Sequence, residues 1–379
     1  MSRPVIFTVI LTTISLLFTG MTYYIISRRI SILWINISNK KTILLISLFI
    51  SISIVVLFLI QSYEKKTISI ISSLASRLFM LIPILTILTG IENIIQITVL
   101  NILSNNNLFE TKIWWLTTLG IFLLLFIYGV YTSFNTRITN VEFINDKISK
   151  DINIMLVADI HVDDIISTVH LKEIKKQILE QKPDIVLIAW DLFNISKFRQ
   201  AEYFKVLTWI NTPMFAIEWN HDIMGDIKAL DRVWEITNIK FLQNEKTILP
   251  EFNIQILWIK EQNKFDNKSN NEVISIKEIL EKTNITGENT FNILLTHQPI
   301  NLKKINTLPI DLELAWHTHN MQIRGLHFIS HLVNDYTYWY HILENQKAFI
   351  TQWIGTRWLP IRWWTKSEIV MLRIKKQNN

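Results

Sequence analysis

Two long apolar segments without a single charged side chain constrain the fold of this sequence more than any other feature. Residues 4–26 and 42–60 each match the roughly 20 residues that an α-helix needs to cross the hydrocarbon core of a bilayer. A cleaved signal peptide is disfavoured for the first segment, because it is too long and no small-x-small cleavage site follows it. The two segments therefore predict transmembrane helices.

Two further apolar segments, residues 78–103 and 113–133, predict a third and a fourth span. The composition agrees, since 49% of the residues are hydrophobic and the mean hydropathy of +0.26 is too high for an ordinary soluble protein. We therefore expect a membrane domain of about four transmembrane helices over residues 1–136, in a multi-pass protein of the cell membrane whose partner is the lipid bilayer. The first loop contains four lysines and arginines and the second three, so the positive-inside rule does not choose the orientation.

Cysteine is absent from the sequence, which excludes disulfides, thiolate nucleophiles and cysteine-ligated metal sites. Any metal must be held by histidine, aspartate, asparagine or glutamate. The net charge of +6 comes partly from short basic clusters beside the apolar segments, as is typical of membrane anchors. This layout gives no indication of nucleic-acid binding, so we expect no nucleic-acid partner.

Beyond about residue 137 the pattern changes to short β-rich segments that alternate with helical periodicity. Residues 152–159 predict a buried strand, and residues 170–181 have the i, i+3, i+4 apolar spacing of an amphipathic helix. We expect an α/β domain over residues 137–379.

Five apolar segments of this domain end in histidine, aspartate or asparagine. Because ligands bind beyond the carboxyl ends of strands in sheets that carry helices on their faces, we expect these residues to share one site. A lone histidine at a strand end is more often an ordinary polar residue than a ligand, but five of the nine histidines fall at such ends. The residues are Asp159, His161, Asp191, Asn220, His221, Asp222, His297, His317 and His319. The pair Asp163 and Asp164 favours a solvated acidic turn, with extra metal ligands as the alternative.

This set of side chains suits two divalent ions, which lie roughly 3.5 to 4 Å apart in two-metal hydrolytic sites. Two neighbouring cations need a bridging anion to offset their repulsion, and a carboxylate in the middle of the set, such as Asp191, provides one. Neutral imidazoles and an amide oxygen leave part of the cationic charge unbalanced. The ions therefore keep the Lewis acidity that activates a phosphate ester and its attacking water.

The order of these motifs, D-x-H, then D, then N-H-D, then H, then H-x-H, resembles the calcineurin-like metallophosphoesterase family over about residues 150–375. The segments HTHNMQ (317–322) and WIGTRWLPIRWWTKSEI (353–369) are similar to a membrane-associated bacterial branch of that family, several members of which carry N-terminal transmembrane helices. The resemblance implies an α-helical transmembrane region followed by a four-layer α/β/β/α sandwich. It also implies hydrolysis of a phosphomonoester or phosphodiester, and the neighbouring bilayer favours a lipid-linked ester.

Carried over residue by residue, the resemblance implies a dinuclear site for two divalent ions, such as manganese, iron or zinc. Asp159, His161 and His319 would hold the first ion, Asn220, His297 and His317 the second, and Asp191 would bridge them. His221 would donate a proton to the leaving oxygen and contact the phosphate, and Asp222 would orient His221. A metal-bridging hydroxide would be the nucleophile, so no covalent intermediate is implied.

Tryptophan stands where the family has glycine at several positions: Trp190, Trp219, Trp258, Trp316 and Trp353. An indole there would meet neighbouring strands or the metal ions, because glycine allows close backbone approach or a positive φ. Decay into a pseudoenzyme is one interpretation, but decay would also have struck the ligands, which are intact. A second is that the tryptophans form a lid or stack on the substrate. The third is that the organism reads UGA, translated here as tryptophan, as glycine.

This third interpretation also accounts for the overall composition. The sequence contains 14 tryptophans and only 8 glycines, whereas glycine averages about 7% of residues in proteins.

Three functional classes follow from the sequence. The leading hypothesis is a membrane-anchored phosphohydrolase that depends on two metal ions. The first alternative is a non-catalytic membrane protein, that is, a pseudoenzyme that only binds a phosphorylated ligand. The second is a protein whose transmembrane helices carry the activity and whose soluble domain regulates it. The oligomeric state does not follow from the sequence.

Overall fold

The chain divides into two compact units, Met1–Ile127 and Tyr128–Asn379, in a computed structural model. The residues that the structure describes are 17, 19–24, 40–59, 70, 71, 74, 77, 85–92, 94, 95, 98, 111–166, 168–189, 192, 193, 198–217, 228–242, 246–258, 289–296, 299–315, 322–324, 338–343, 346–356 and 359–377.

The N-terminal unit is helical wherever the structure describes it. Helix α1 (Lys40–Leu59) covers the predicted second span, and helix α2 (Thr111–Phe134) covers the predicted fourth span and continues into the C-terminal unit. Within the described residues, one apolar segment, Leu116–Phe134, has the length and composition to cross a membrane, and Ile43–Ser53 is apolar but shorter. The predicted first and third spans lie partly outside the described residues. The count of four spans therefore stays a prediction.

Two six-stranded sheets and the helices around them make up the described part of the C-terminal unit. The elements are β1 (Arg137–Asn145), β2 (Ile152–Ala158), α3 (Val169–Gln181), β3 (Ile185–Ala189), α4 (Phe198–Ala201), a 3₁₀ helix (Glu202–Leu207), β4 (Met214–Ile217), α5 (Lys228–Thr237), β5 (Lys240–Leu242), β6 (Lys246–Leu249), β7 (Ile254–Trp258), β8 (Phe291–Leu295), α6 (Leu302–Ile305), β9 (Leu312–Ala315), β10 (Trp339–Leu343), β11 (Gln346–Ile350) and β12 (Glu368–Lys376). The first sheet has the order β1-β12-β2-β3-β4-β5, and the second has the order β10-β11-β9-β8-β7-β6. Mixed α/β architecture is therefore confirmed for this unit.

Parallel pairing dominates the centre of both sheets. Strands β2, β3, β4 and β5 run parallel to one another, as do β7, β8, β9 and β11. Strand β12 is antiparallel to β2 and parallel to β1. Because neighbouring parallel strands end at the same edge of a sheet, the carboxyl ends of β2, β3 and β4 lie side by side.

Strand β2 is apolar from Ile154 to Ala158 because both of its faces are covered there. Ile154 and Leu156 belong to the apolar cluster that the two sheets share, whereas Met155 and Val157 belong to the cluster formed with α3, the 3₁₀ helix and α5. A parallel strand buried on both faces has no solvated side that would call for polar residues. The buried strand that the apolar pattern predicted at residues 152–159 is therefore confirmed as β2, which ends at Ala158.

The end of α2 packs against the segment 361–363 within the C-terminal unit. The Arg362 amide donates a hydrogen bond to the Gly129 carbonyl (2.9 Å), and the Thr132 hydroxyl donates one to the Arg362 carbonyl. A Cβ atom at Gly129 would collide with the side chains of Ile361 and Trp363. Glycine at this position therefore lets the helix approach the segment closely enough for backbone hydrogen bonds.

A buried carboxyl holds the segment that follows β8. Glu313 in β9 is fully buried, and its Oε1 atom accepts hydrogen bonds from the Thr296 hydroxyl (2.7 Å) and the Ile300 amide (2.8 Å). Thr296 and Ile300 lie on either side of the predicted ligand His297, which is itself outside the described residues. Burial raises the pKa of Glu313 to about 7, although both hydrogen bonds lower it.

The Glu313→Gln variant should lose a pH dependence of stability between about pH 4.5 and pH 7. Because the pKa of this carboxyl is raised in the folded state, the folded chain binds more protons in this window, and the free energy of unfolding falls as the pH rises. The expected fall is on the order of 3 kcal/mol. The glutamine amide oxygen can keep both hydrogen bonds, so the variant isolates the titration.

Denaturant unfolding of both proteins in detergent at several pH values measures this difference. The other titrating groups are common to both proteins, so they cancel in the difference curve. Parallel profiles for the two proteins would contradict the prediction.

Candidate metal centre

Two of the nine predicted site residues, Asp159 and His161, lie within the described residues. The other seven, Asp191, Asn220, His221, Asp222, His297, His317 and His319, lie outside them, as do Trp190, Trp219 and Trp316. Among the residues that the structure describes, no group of three or more histidine, aspartate, glutamate or cysteine side chains is placed to hold a metal ion. The complete ligand set therefore stays a prediction.

The Asp159–His161 turn follows β2 directly and is buried. Asp159 is 0% exposed and His161 is 1% exposed, and both have backbone in the left-handed region, with φ of 48° and 50°. Left-handed backbone is uncommon for residues other than glycine and clusters at functional sites, where the surroundings stabilise it. Here the surroundings are two other backbone segments.

Hydrogen bonds hold this turn from both sides. The Asp159 amide donates to the Ala189 carbonyl at the end of β3 (3.0 Å), and the Gly355 amide donates to the Asp159 carbonyl (3.0 Å). One residue beyond the turn, the Val162 amide donates to the Leu192 carbonyl (2.7 Å). A Cβ atom at Gly355 would collide with the carbonyls of Asp159 and Ile160, so glycine is required for this approach.

The ends of the neighbouring strands are in register with the end of β2. Ala158 pairs with Ala189, and Ala189 pairs with Ile217, so the last residues of β2, β3 and β4 lie side by side. The predicted residues Asp191 and Asn220 follow the second and third of these ends within three residues. The structure thus places the carboxyl ends of β2, β3 and β4 at one edge of the first sheet.

The second sheet has a comparable arrangement. Strands β8 and β9 are parallel neighbours, and Leu295 pairs with Leu314 near their carboxyl ends. The predicted ligands His297 and His317 each follow one of these strands by two residues. Both sheets contribute to a single apolar cluster between them, which includes Ala158, Ala189, Leu295 and Leu314.

A buried cation lies close enough to Asp159 for the two charges to interact. Arg362 is fully buried, and burial lowers its pKa to about 9, while the negative charges of Glu368 and Asp159 act in the opposite direction. Its guanidinium donates hydrogen bonds to four backbone carbonyls, those of Gln352 (3.1 Å), Trp353 (3.0 Å), Gly355 (2.7 Å) and Lys366 (2.9 Å). Sequence reasoning missed Arg362, although the residue lies in the segment 353–369 on which the resemblance depends.

The chemistry of the two described ligands fits a divalent ion. A carboxylate and an imidazole suit manganese, iron and zinc. Burial of a carboxylate is costly unless a cation lies nearby, and both Arg362 and a bound ion at this turn meet that requirement for Asp159. The buried Asp159 and His161 pair is therefore compatible with the metal-binding role that the motif predicts.

The acidic pair that follows the turn was predicted wrongly. Asp163 and Asp164 are 4% and 9% exposed, so they do not form a solvated turn. The Asp163 carboxylate accepts hydrogen bonds from the amides of Ile165 and Ile166, both at 2.8 Å. The Asp164 carboxylate forms an ion pair with Arg199 and accepts further hydrogen bonds from Gln200 and Tyr203. Both carboxylates stabilise the loop after the turn.

Two of the five tryptophans at predicted glycine positions are described, and they differ. Trp353 has φ of 63°, is 0% exposed, and lies edge-on to the His161 ring with 5.2 Å between the ring centroids. Trp258 is also buried, but it ends β7 with ordinary strand backbone. The glycine interpretation therefore gains support at position 353 and gains none from the backbone at position 258.

Comparison with known proteins finds relatives whose names contain the word metallophosphoesterase. No protein-family model matches the chain. An uncharacterized metallophosphoesterase of Helicobacter pylori is 26% identical over 237 residues, which cover 62% of each protein, so the match spans about three fifths of that relative. An uncharacterized metallophosphoesterase of Campylobacter jejuni is 24% identical over 67% of this chain and 68% of its own length. A Danio rerio transmembrane protein with metallophosphoesterase domain is 24% identical over 63% of this chain and 57% of its own length.

Among solved structures, the GAP50 anchor of the inner membrane complex of Plasmodium matches with 12% identity and a TM-score of 0.34 over 55% of this chain and 73% of that protein. A Haemophilus influenzae NAD nucleotidase is 16% identical and has a TM-score of 0.32 over 59% of this chain and 44% of that protein. The sequence relatives come from two bacterial genera and a vertebrate, and their names agree with the resemblance that the motifs predicted. The chain is therefore similar to proteins named metallophosphoesterases, and the resemblance that the motifs predicted is confirmed.

Proposed function

We propose that this protein is a membrane-anchored phosphoesterase that uses two divalent metal ions to hydrolyse a phosphomonoester or phosphodiester. The observation that carries the proposal is the buried Asp159–His161 turn at the carboxyl end of β2, held between β3 and Gly355 by backbone hydrogen bonds. A ligand turn held in this way changes little when an ion binds, as metal sites for catalysis require. The similarity to proteins named metallophosphoesterases supports the same chemistry.

In the proposed site, each predicted ligand group has a separate role. Asp159, His161 and His319 would hold one ion, Asn220, His297 and His317 would hold the other, and Asp191 would be shared by both. The ions, when bound, supply Lewis acidity toward the phosphate and lower the pKa of the attacking water. Manganese, iron and zinc all accept imidazole and carboxylate ligands, so each of them fits the proposed site.

His221 is the proposed proton donor to the leaving oxygen of the ester. A histidine suits this role because its ordinary pKa lies close to neutral pH, so both protonation states are accessible. Asp222 follows His221 in the sequence and is proposed to orient the imidazole and stabilise its protonated form.

Helix α2 supports the membrane part of the proposal. Leu116, Leu119 and Leu124 are each more than half exposed, and the exposed surface of this helix is apolar along most of its length. Apolar side chains exposed over so long a helix are unfavourable in water and favourable in lipid. The last turns of the helix contact the segment 361–363 of the C-terminal unit. Because α2 continues into the unit that contains the candidate metal centre, we favour a lipid-linked phosphate ester as the substrate.

A non-catalytic protein that only binds a phosphorylated ligand is the second candidate. The tryptophans at motif positions favour it, since an indole beside His161 occupies space that a metal site needs. The two candidates differ in one measurable property, which is turnover of a bound ester.

Hydrolysis should depend on Asp159 and His221 in different ways. The chain with glycine at positions 190, 219, 258, 316 and 353, purified in detergent, should bind two Mn²⁺ ions and hydrolyse an aryl phosphodiester or aryl phosphate. Asp159→Asn should weaken metal binding about tenfold or more. His221→Ala should leave metal affinity unchanged and lower kcat roughly 10²- to 10⁴-fold. Calorimetric Mn²⁺ titration and steady-state kinetics measure both effects.

Asp151→Asn is the matched control, because Asp151 is exposed and accepts a hydrogen bond from the Lys376 amide away from the turn. Metal binding without hydrolysis would favour the binding protein. Full activity in the His221→Ala variant would place the activity in the transmembrane helices instead.

Helix α2 should separate the two sides of the membrane. The sequence contains no cysteine, so single cysteines at Thr111 and Asn135 report on the two ends of α2. In intact cells a membrane-impermeant maleimide should label one of the two positions and spare the other. A cysteine at Asp151, which is exposed on the C-terminal unit, should match Asn135. Equal labelling of Thr111→Cys and Asn135→Cys would show that α2 does not cross the membrane.

A further inference from the structure

Four tryptophans of this chain have backbone in the left-handed region. The φ angles are 64° at Trp209, 79° at Trp339, 63° at Trp353 and 59° at Trp364. They make up four of the ten described residues other than glycine with positive φ, whereas no described glycine has a positive φ. Left-handed backbone crowds the Cβ atom of any L-residue, and glycine is the residue that adopts it at least cost.

Burial does not offset this cost at the positions where the indole is exposed. Trp209 is 94% exposed, Trp364 is 60% exposed and Trp339 is 45% exposed. An exposed indole contributes little apolar burial, and a bulky side chain at positive φ is a genuine outlier. Trp339 does contact two aromatic rings, those of Tyr338 and Phe349, each with 5.6 Å between centroids.

We infer that glycine occupies positions 209, 339, 353 and 364 in the natural protein, because the organism reads the codon UGA as glycine. Positions 209, 339 and 364 are not among the five motif positions at which the sequence raised the same hypothesis. Backbone geometry and family resemblance are independent observations, and position 353 satisfies both.

Two adjacent residues show that the geometry discriminates between tryptophans. Trp363 is 8% exposed, packs against Gly129, lies in a short bridge with Ile323, and has no positive φ. Its neighbour Trp364 is mostly exposed and has φ of 59°. We therefore assign tryptophan to position 363 and glycine to position 364.

Glycine at position 353 has a consequence for the metal centre. The backbone contacts of this residue do not depend on its side chain, because its carbonyl accepts hydrogen bonds from Arg362 (3.0 Å) and from the Glu368 amide (2.9 Å). Loss of the indole therefore preserves these contacts. It also removes the ring that lies edge-on to His161 and so leaves room beside a predicted metal ligand.

Peptide mass spectrometry of the protein from its natural source, together with the gene sequence, tests the inference. Peptides spanning positions 209, 339, 353 and 364 should carry the mass of glycine, with UGA in the gene at each, and position 363 should carry tryptophan encoded by UGG. Tryptophan mass or a UGG codon at the four positions would overturn the assignment.

A recombinant pair provides a second measurement in the full chain. Trp364→Gly should maintain or raise the thermal unfolding midpoint of the C-terminal unit, because it relieves left-handed backbone. Trp363→Gly should lower the midpoint, because it removes a buried ring that packs on Gly129. A loss of stability in Trp364→Gly as large as that in Trp363→Gly would contradict the inference.

A separate set of contacts leads us to a second inference, which rests on the proposed function: Arg362 is a positioning residue for the Asp159–His161 turn. Its guanidinium bonds to the carbonyls of Gln352, Trp353 and Gly355, and the Gly355 amide in turn bonds to the Asp159 carbonyl. Arg362 thereby fixes the segment that contacts the turn on the side opposite β3. No other described residue bonds to all three of these carbonyls through its side chain.

Metal affinity distinguishes positioning from a purely structural role. These variants are made in the full chain with glycine at positions 190, 219, 258, 316 and 353. Arg362→Lys and Arg362→Met should weaken Mn²⁺ binding tenfold or more at temperatures well below their unfolding midpoints. Lysine keeps the charge but cannot reproduce the fork of donors, so it should rescue affinity only in part. Arg232→Met, which removes an arginine that pairs with Glu202 on the surface, is the control.

Two outcomes overturn the second inference in distinguishable ways. Variants with lowered midpoints but the affinity of the parent chain would make Arg362 a structural residue and leave the proposed function intact. A parent chain that binds no Mn²⁺ would remove the proposed function and the positioning role together.

Discussion

Backbone hydrogen bonds to the Asp159–His161 turn are the interactions on which the rest of this structure depends. The turn combines two costs, because it buries a carboxylate and an imidazole and because two of its residues have positive φ. Such a conformation persists only where neighbouring segments hold it. Strand β3 does so through the Ala189 carbonyl, and the segment before β12 does so through the Gly355 amide. A side-chain site on a backbone held in this way is largely formed before any ligand arrives, which is the general condition for efficient metal binding.

Arg362 connects this turn with the end of the long apolar helix. Its side chain bonds to the segment 352–355, and its main chain bonds to Gly129 and Thr132 in the last turns of α2. One residue thus contacts both the support of the candidate metal centre and the helix that is suited to a bilayer. The close approach requires the small residue at Gly129, where a Cβ atom would collide with Ile361 and Trp363. Burial of Arg362 is compensated by hydrogen bonds to carbonyls, as a buried charge requires.

The sequence predicted those features that leave a local pattern. The apolar segments at residues 42–60 and 113–133 predicted α1 and α2, and the buried segment at 152–159 predicted β2, because length and periodicity are local properties. The pair Asp163 and Asp164 was predicted wrongly, because acidic residues in a turn are usually solvated and the partner Arg199 lies 35 residues away. Arg362 was missed because its partners are main-chain carbonyls, and these give no signal in a sequence. The positive φ of Trp209 and Trp339 likewise cannot be predicted from the sequence, because it is a property of the folded backbone.

The position of β12 has a consequence for how the protein is made. This strand follows all the other described strands in the sequence, yet it lies between β1 and β2 in the first sheet and pairs with both. Strands β1 and β2 therefore have no partner on their facing edges until residues 368–376 have left the ribosome, so assembly of this sheet waits for the synthesis of β12. A ribosome that reads UGA as a stop at any of the positions 209, 339, 353 and 364 would release a chain without β12. Such a chain would keep two unpaired strand edges, which are sites of aggregation.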